Sequence, residues 1–258
     1  MIIGPVTSPV VSQIVEPVAV QLTGFKPESG GGGALDPYWD NVAMLLNFDG
    51  DDGDTTSTDA SQYAAPVTFL RTATQNRISS TESKFGGTSA FFAGSSTGVD
   101  YAKVDLQSGV NINAGDFTTE CWVNWSGGSG FQGILTQDPV YVNNGSINFY
   151  LQDGRVGFSY GSGQGSFRGT TVLNTGTWYH VAWVREPSLN TVKIYLNGVL
   201  EATGTVNGAT TFGGTGNFKV GLFYYFHFFG YIDELRITQG VARYTEDFTP
   251  PTEPFPTA

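Results

Sequence analysis

Apolar side chains recur at alternate positions along most of this chain, the period of a strand with one buried face, and turn residues separate the runs. The pattern predicts strands at residues 42–48, 89–93, 101–106, 117–125, 133–136, 146–151, 155–160 and 171–173. It predicts further strands at 177–185, 192–196, 200–204, 218–222 and 230–238. Asn197-Gly198 sits between two of these runs, and both residues tolerate positive φ, so a tight hairpin is expected there. Helical periodicity is nearly absent. Many short strands at regular spacing predict an all-β, two-sheet antiparallel sandwich.

Residues 1–34 follow a different pattern. Val10, Val11, Ile14, Val15, Val18 and Val20 are interspersed with Pro5, Pro9 and Pro17. Proline cannot donate to an interior ladder, so this reads as an extended N-terminal arm or edge strand. Gly30 to Gly33 supply a flexible joint. Such a density of valines favours docking on another protein; a disordered leader is the alternative. The organisation is therefore an arm and joint over 1–34 and a sandwich with a proline-rich tail over 35–258.

Composition supports a packed core. The chain has 258 residues, a length one large sandwich commonly reaches, and 19 Phe, 12 Tyr and 5 Trp to fill it. Twelve Lys+Arg against 23 Asp+Glu give a net charge of −11. That balance argues against nucleic-acid binding, which needs a basic face, and against docking on anionic lipid. No apolar run is long enough for a membrane span, and the first residues lack the basic start and apolar core of a signal peptide. The single cysteine, Cys121, excludes an internal disulfide. It shares a face with Phe117 and Val123, so a buried, inert thiol is expected.

Candidate chemistry is sparse. Glycoside hydrolysis requires two carboxylates across one cleft, and no strand carries acidic residues at alternate positions. Asp233 and Glu234 are adjacent and should leave opposite faces. Alternation places Asp233 inward with Tyr231, Leu235 and Ile237, and Glu234 outward with Arg236. An inward carboxylate must be hydrogen-bonded or paired; amides of a neighbouring loop are its expected partners, a cation the alternative. Glu120 and Arg236 are expected to form an ion pair if their strands meet in one sheet. Neither His180 nor His227 has a nucleophile in a recognisable setting, so no catalytic residue is assigned. Asp49, Asp51, Asp59 and Asp233 are the oxygen ligands that a calcium site would use. The spacing is not that of an EF-hand, and a solvated acidic turn is the competing reading. No cofactor other than calcium is suggested.

The ordered segments resemble a known family. Asp116-Phe-Thr-Thr-Glu-Cys-Trp-Val-Asn-Trp125, Thr177-Trp-Tyr-His-Val-Ala-Trp-Val-Arg185, Val192-Lys-Ile-Tyr-Leu-Asn-Gly198 and the 230–238 strand are similar, in order, to core segments of laminin-G-like, concanavalin A-like jelly rolls. Leu45-Leu-Asn-Phe-Asp-Gly50, Ser83-Lys-Phe-Gly-Gly-Thr-Ser-Ala90, Gly240-Val-Ala-Arg-Tyr244 and Phe248-Thr-Pro-Pro251 resemble the versions found in phage structural proteins. The resemblance implies a curved jelly-roll sandwich that binds glycans or proteins. It departs from that pattern at Phe223, Tyr224, Tyr225, Phe226, His227 and Phe228, where phage relatives carry a small polar loop. Consecutive aromatics cannot all face one core, so a subunit or partner interface, a glycan platform and local core remain open for them.

The expected function is that of a phage virion accessory protein (fibre, tail or capsid decoration), made in a host cytoplasm and attached to other virion proteins through its arm. Its partner would be host-surface glycan, and the fibre analogy suggests a homo-oligomer, with a trimer plausible. A purely structural decoration or cement protein is the main alternative, and a cellular polysaccharide-binding module the third.

Overall fold

The computed structural model describes residues 35–71, 75–94, 100–105, 110, 112, 114–137, 146–161, 165–212 and 217–258. The arm residues Val10, Val11, Ile14, Val15, Val18 and Val20 lie outside them. Two large antiparallel sheets face each other. The first contains β1 (Val42–Leu46), β4 (Arg77–Ser79), β5 (Ser89–Ala93), β7 (Phe117–Trp125), β12 (Trp178–Glu186), β13 (Thr191–Leu196), β14 (Val199–Thr205) and β18 (Phe229–Gln239). Their order is β14-β13-β12-β7-β18-β5-β4, with β1 also pairing β18. The second contains β2 (Thr56–Thr58), β3 (Pro66–Leu70), β6 (Tyr101–Val104), β8 (Phe131–Gln137), β9 (Ile147–Gln152), β10 (Arg155–Tyr160), β11 (Gly165–Arg168) and β15 (Phe218–Val220). Here the order is β11-β10-β9-β8-β15-β6-β3-β2. A small hairpin, β16 (Leu222–Phe223) and β17 (Phe226–His227), completes the set.

The core lies between the two inner faces. Phe117, Val123, Val181, Trp183 and Ile194 come from the first sheet, and Phe149, Leu151, Phe158 and Phe218 from the second. Cys121 is among them, and burial pushes its thiol well up, as expected of an inert cysteine. The Asn197-Gly198 hairpin forms as predicted, with φ of 49° and 79°. The expected strand at 171–173 does not form. The amides of Thr170 and Thr171 donate to the Glu201 carboxylate, both at 2.6 Å, instead of to a ladder. The strand in that region is β11, a few residues earlier.

Strict alternation fails along β18, and the failure corrects two expectations. Asp233 opposes Trp122 and Arg236 opposes Glu120, so Glu234 and Leu235 on β18 together oppose the single residue Cys121 on β7. This is a β-bulge, and Glu234 within it has φ of 48°. The extra residue resets the faces. Ile232, Leu235 and Ile237 join the core, while Asp233 and Arg236 share the outer face. The bulge falls where β18 changes partner, from β5 at residues 229–232 to β1 at residues 235–238. Asp233 therefore does not share a face with Leu235 and Ile237, and Glu234 is not solvent-facing; both are buried. The expected partners of Asp233 are present: it accepts from the amides of Lys84 at 2.8 Å and Phe85 at 3.1 Å. Glu234 accepts from Phe255 N at 2.9 Å and Asn47 Nδ2 at 3.2 Å.

The outer face of the first sheet is sealed by the C-terminal segment. Tyr244 and Phe248 stack at 3.5 Å over Ala182, Val184 and Tyr195. Phe255 fills a pocket with Val42 and Leu45, under the Arg236 guanidinium at 3.7 Å. Beneath this cover, Glu120 meets Arg236 at 2.7 Å, His180 at 3.1 Å and the Tyr244 hydroxyl at 2.7 Å. The pairing of Glu120 with Arg236 is thus realised. Asp36 continues the network, accepting from Arg236 at 2.9 Å and Arg243 at 2.7 Å. Burial alone would raise the Glu120 carboxyl, but Arg236 and the His180 hydrogen bond outweigh it and hold it far below the usual carboxylate range.

Candidate functional site

The outer face of the second sheet is covered over β8 by the β16–β17 hairpin, with Tyr150, Asn148 and Thr136 buried, and it exposes Arg168 at its β11 edge. Two glycines prepare it. Gly133 lets the backbone of Leu222 and Phe223 lie directly on β8, where any Cβ would collide with it. Gly157 lets the ring of Tyr150 lie flat across β10. On this floor the β16–β17 hairpin is fastened at several points. Thr136 Oγ1 donates to Leu222 O at 2.8 Å, Gly221 N donates to Ile134 O at 2.9 Å, and Phe228 N donates to Gly221 O at 2.9 Å. His227 Nδ1 lies 2.8 Å from Asp100 O and is therefore its protonated nitrogen. The platform is preorganised before any ligand arrives.

The six consecutive aromatic positions divide by role. Phe228 is core, against Phe92. His227 is buried and serves as an anchor. Phe223 stacks on Tyr150 at 5.5 Å with a 14° tilt, and Phe131 packs edge-on to both rings. Tyr224, Tyr225 and Phe226 project outward, 38%, 70% and 41% exposed. The local-core reading therefore holds for Phe228 and His227 and fails for these three. Tyr224 is held at φ 63°, a left-handed conformation that bulky residues avoid. Strain of this kind, of order 1–3 kcal/mol, persists where the surrounding structure enforces it.

Phe131 and Tyr150 belong to this site but were not singled out from the sequence. Tyr150 alternates with the core residues Phe149 and Leu151, so its outward direction was legible. Its neighbours were not, since they follow from the register of β8 on β9 and the bulge between Gly133 and Leu135. Burial raises the Tyr150 hydroxyl pKa, opposed by the nearby charge of Arg168.

The four aspartates proposed for calcium do not converge. Asp59 is buried and accepts from Leu45 N, Ser61 N and Ser61 Oγ, at 2.8, 2.9 and 2.7 Å. Asp233 is committed to the amides of Lys84 and Phe85, while Asp49 and Asp51 are exposed. Asp52 and Asp54 cap the amides of Ser80 and Asp51. Among the described residues no group of three or more His, Cys, Asp or Glu is placed to hold a metal ion. The acidic run acts as a hydrogen-bonded turn.

Two facing antiparallel sheets, one sealed by a tail and one carrying an aromatic platform, define a lectin-type sandwich. A laminin-G-type family model described as the concanavalin A-like lectin/glucanases superfamily matches residues 93–245, and the protein belongs to that superfamily. No curated protein sequence matches it. Among solved structures it is similar to domain 4 of AbnA, a GH43 extracellular arabinanase from Geobacillus stearothermophilus, in complex with arabinotriose. Identity is 23% and the TM-score 0.56, covering 78% of this chain and 93% of that one. The binding domain of botulinum neurotoxin DC in complex with SialylT gives 13% identity and a TM-score of 0.56, over 82% of this chain and 49% of that one. The botulinum neurotoxin serotype G binding domain gives 12% and 0.58, over 81% and 49%. The chain spans about half the length of the toxin domains. At these identities the likeness establishes the fold.

Proposed function

We propose that the protein is a non-catalytic carbohydrate-adhesion module of a phage virion, a fibre, tail or capsid-decoration component that binds host-surface glycan. The observation that carries this is the tip of the β16–β17 hairpin, where Tyr224, Tyr225 and Phe226 stand exposed on a fastened base. An exposed aromatic cluster on a rigid scaffold suits the apolar face of a sugar ring and costs little ordering on binding. Similar sandwiches in complex with arabinotriose and with SialylT lend support. Shallow contacts of this kind become strong through many copies, which a virion supplies. The phage setting rests on the ordered motifs 45–50, 83–90, 240–244 and 248–251. The absence of catalysis is supported by Glu120 and Asp233, both buried and already bonded. The reading requires no cofactor.

Replacing Tyr224, Tyr225 and Phe226 together by Ser should reduce glycan-array binding at least tenfold, a loss of about 1.4 kcal/mol. The thermal midpoint should stay within a few degrees, because none of the three is core. Undiminished binding by this variant would refute the platform. Loss of oligomerisation with glycan binding intact would favour the cement reading instead. Deleting residues 1–30 should abolish incorporation into particles while leaving glycan binding intact. Normal incorporation of the truncated chain would remove the docking role of Val10, Val11, Ile14, Val15, Val18 and Val20.

A further inference from the structure

The outer face of the second sheet runs against the charge of the whole chain. With 12 Lys+Arg against 23 Asp+Glu the protein is strongly acidic. Yet the strand positions sharing the outer face with Tyr150 include Arg155, Arg168, Lys219 and Lys103, and no aspartate or glutamate. Lys103 is neutralised by Asp105 at 2.6 Å. Arg155 donates its Nε to Thr170 O at 3.2 Å. Arg168 is exposed and has no ion pair among the described residues.

Register places that cation at the end of the aromatic stack. Gly157 opposes Arg168 on one side and Tyr150 on the other. Because Gly157 has no side chain, the Tyr150 ring and hydroxyl lean over it toward β11, where the charge of Arg168 acts on the phenol. Phe223 stacks on Tyr150. Two strand spacings, roughly 10 Å, therefore separate the Arg168 backbone from that of Tyr150. A ligand lying on the exposed hairpin and extending over the buried Tyr150 toward the β11 edge meets the exposed Arg168, while the Glu201 carboxylate beside Gly169 is already taken up by the amides of Thr170 and Thr171.

We infer that the sugar bound by this platform carries a carboxylate, a uronate or sialate class of residue, and that Arg168 receives it. This rests on the glycan-binding reading and narrows it. A guanidinium takes a carboxylate through two parallel, charge-assisted N–H bonds, stronger than those it makes to neutral sugar hydroxyls. The surrounding acidic surface repels an anionic glycan elsewhere, so the charge also selects the orientation in which the ligand lands.

The test uses the full chain against matched pairs: oligogalacturonate and its carboxyl-reduced form, sialyllactose and lactose, with a sulfated galactan as a third arm. Wild type should bind the carboxylated member of at least one pair about tenfold more tightly than its neutral partner. Arg168→Gln should erase that difference, leaving affinity for the neutral partner within about twofold and the melting temperature unchanged. Equal binding to both members of every pair, or a preference that survives Arg168→Gln, overturns the inference while sparing the glycan reading. Sulfated galactan bound as tightly as the carboxylated sugars overturns the carboxylate assignment. No binding to any probe overturns the inference and the glycan-adhesion reading together.

Discussion

Replacing Glu120 by Ala is expected to destabilise the fold by about 3–5 kcal/mol, the usual cost of removing one partner from a buried ion pair. Glu120 is fully buried, and four donors depend on it: two from Arg236, one from His180 and the Tyr244 hydroxyl. Without the carboxylate, the buried Arg236 keeps one ion-pair partner among the described residues, Asp36, which Arg243 already shares. Burial alone would lower the Arg236 pKa; the charge of Glu120 outweighs this, and the guanidinium stays charged with no route to neutralise itself. The damage should spread to the tail, because Tyr244 is tied down through Glu120 and stacks on Phe248. Residues beyond Gln239 should become sensitive to protease before the sandwich itself. A second substitution, Arg236→Met in a Glu120→Leu background, should recover part of the loss, with a coupling energy of roughly 1–3 kcal/mol. Urea titrations of the two single variants and the double variant measure it. A Glu120→Ala chain within about 1 kcal/mol of wild type would mean that solvent or rearranged donors compensate and that the network is not a clamp.

The same network explains which sequence signals were informative. Gly240-Val-Ala-Arg-Tyr244 and the proline-rich tail look like linker by composition. In the fold, Arg243 and Tyr244 reach the carboxylates of Asp36 and Glu120, and Phe255 plugs the Val42–Leu45 pocket. Strands with one core-facing side, such as 117–125 and 155–160, were legible because burial of alternate residues imposes the period. β2, β3 and β4 were missed: Thr56–Thr58 and Arg77–Ser79 carry no alternating apolar signal, and in β3 the alternation is confined to Val67 and Phe69 beside a proline. The site was half legible. The run 222–231 exposes itself by having too many aromatics for one face, but Phe131, Tyr150 and Arg168 reach it only through non-local register. Local periodicity carries no information about which strands become neighbours.

Stability should fall as pH rises from about 5 to 9, with the acidic limb governed by different groups. The bulge on β18 turns two successive carboxylates into buried sites. Burial raises Asp233 to about 7, although the amides of Phe85 and Lys84 pull it down; burial also raises Glu234 to about 8, against the pull of the Phe255 amide and reinforced by the negative charge of Asp233. Both are higher than in the unfolded chain, where carboxyls titrate near 4. Between those limits the native state holds protons that the unfolded state has released. Its advantage is therefore complete below about pH 4 and is lost as pH climbs through 7 and 8, by up to roughly 1.4 kcal/mol per pH unit for each proton. Asp36 behaves oppositely: burial would raise it, but Arg243 and Arg236 hold it low, as they and His180 do for Glu120. Their contribution is present above the unfolded pKa and disappears as pH falls below about 4. The two trends cross, so the melting temperature should peak in mildly acidic buffer, near pH 5. Glu234→Gln keeps the acceptor for Phe255 N but cannot ionise, and it should flatten the slope between pH 6 and 9 while leaving the acid limb in place. A wild-type melting temperature that is level or rising from pH 5 to 9 would show that both carboxylates are ionised in the native state and that the bulge amides, with Asn47 and Phe255, outweigh their burial.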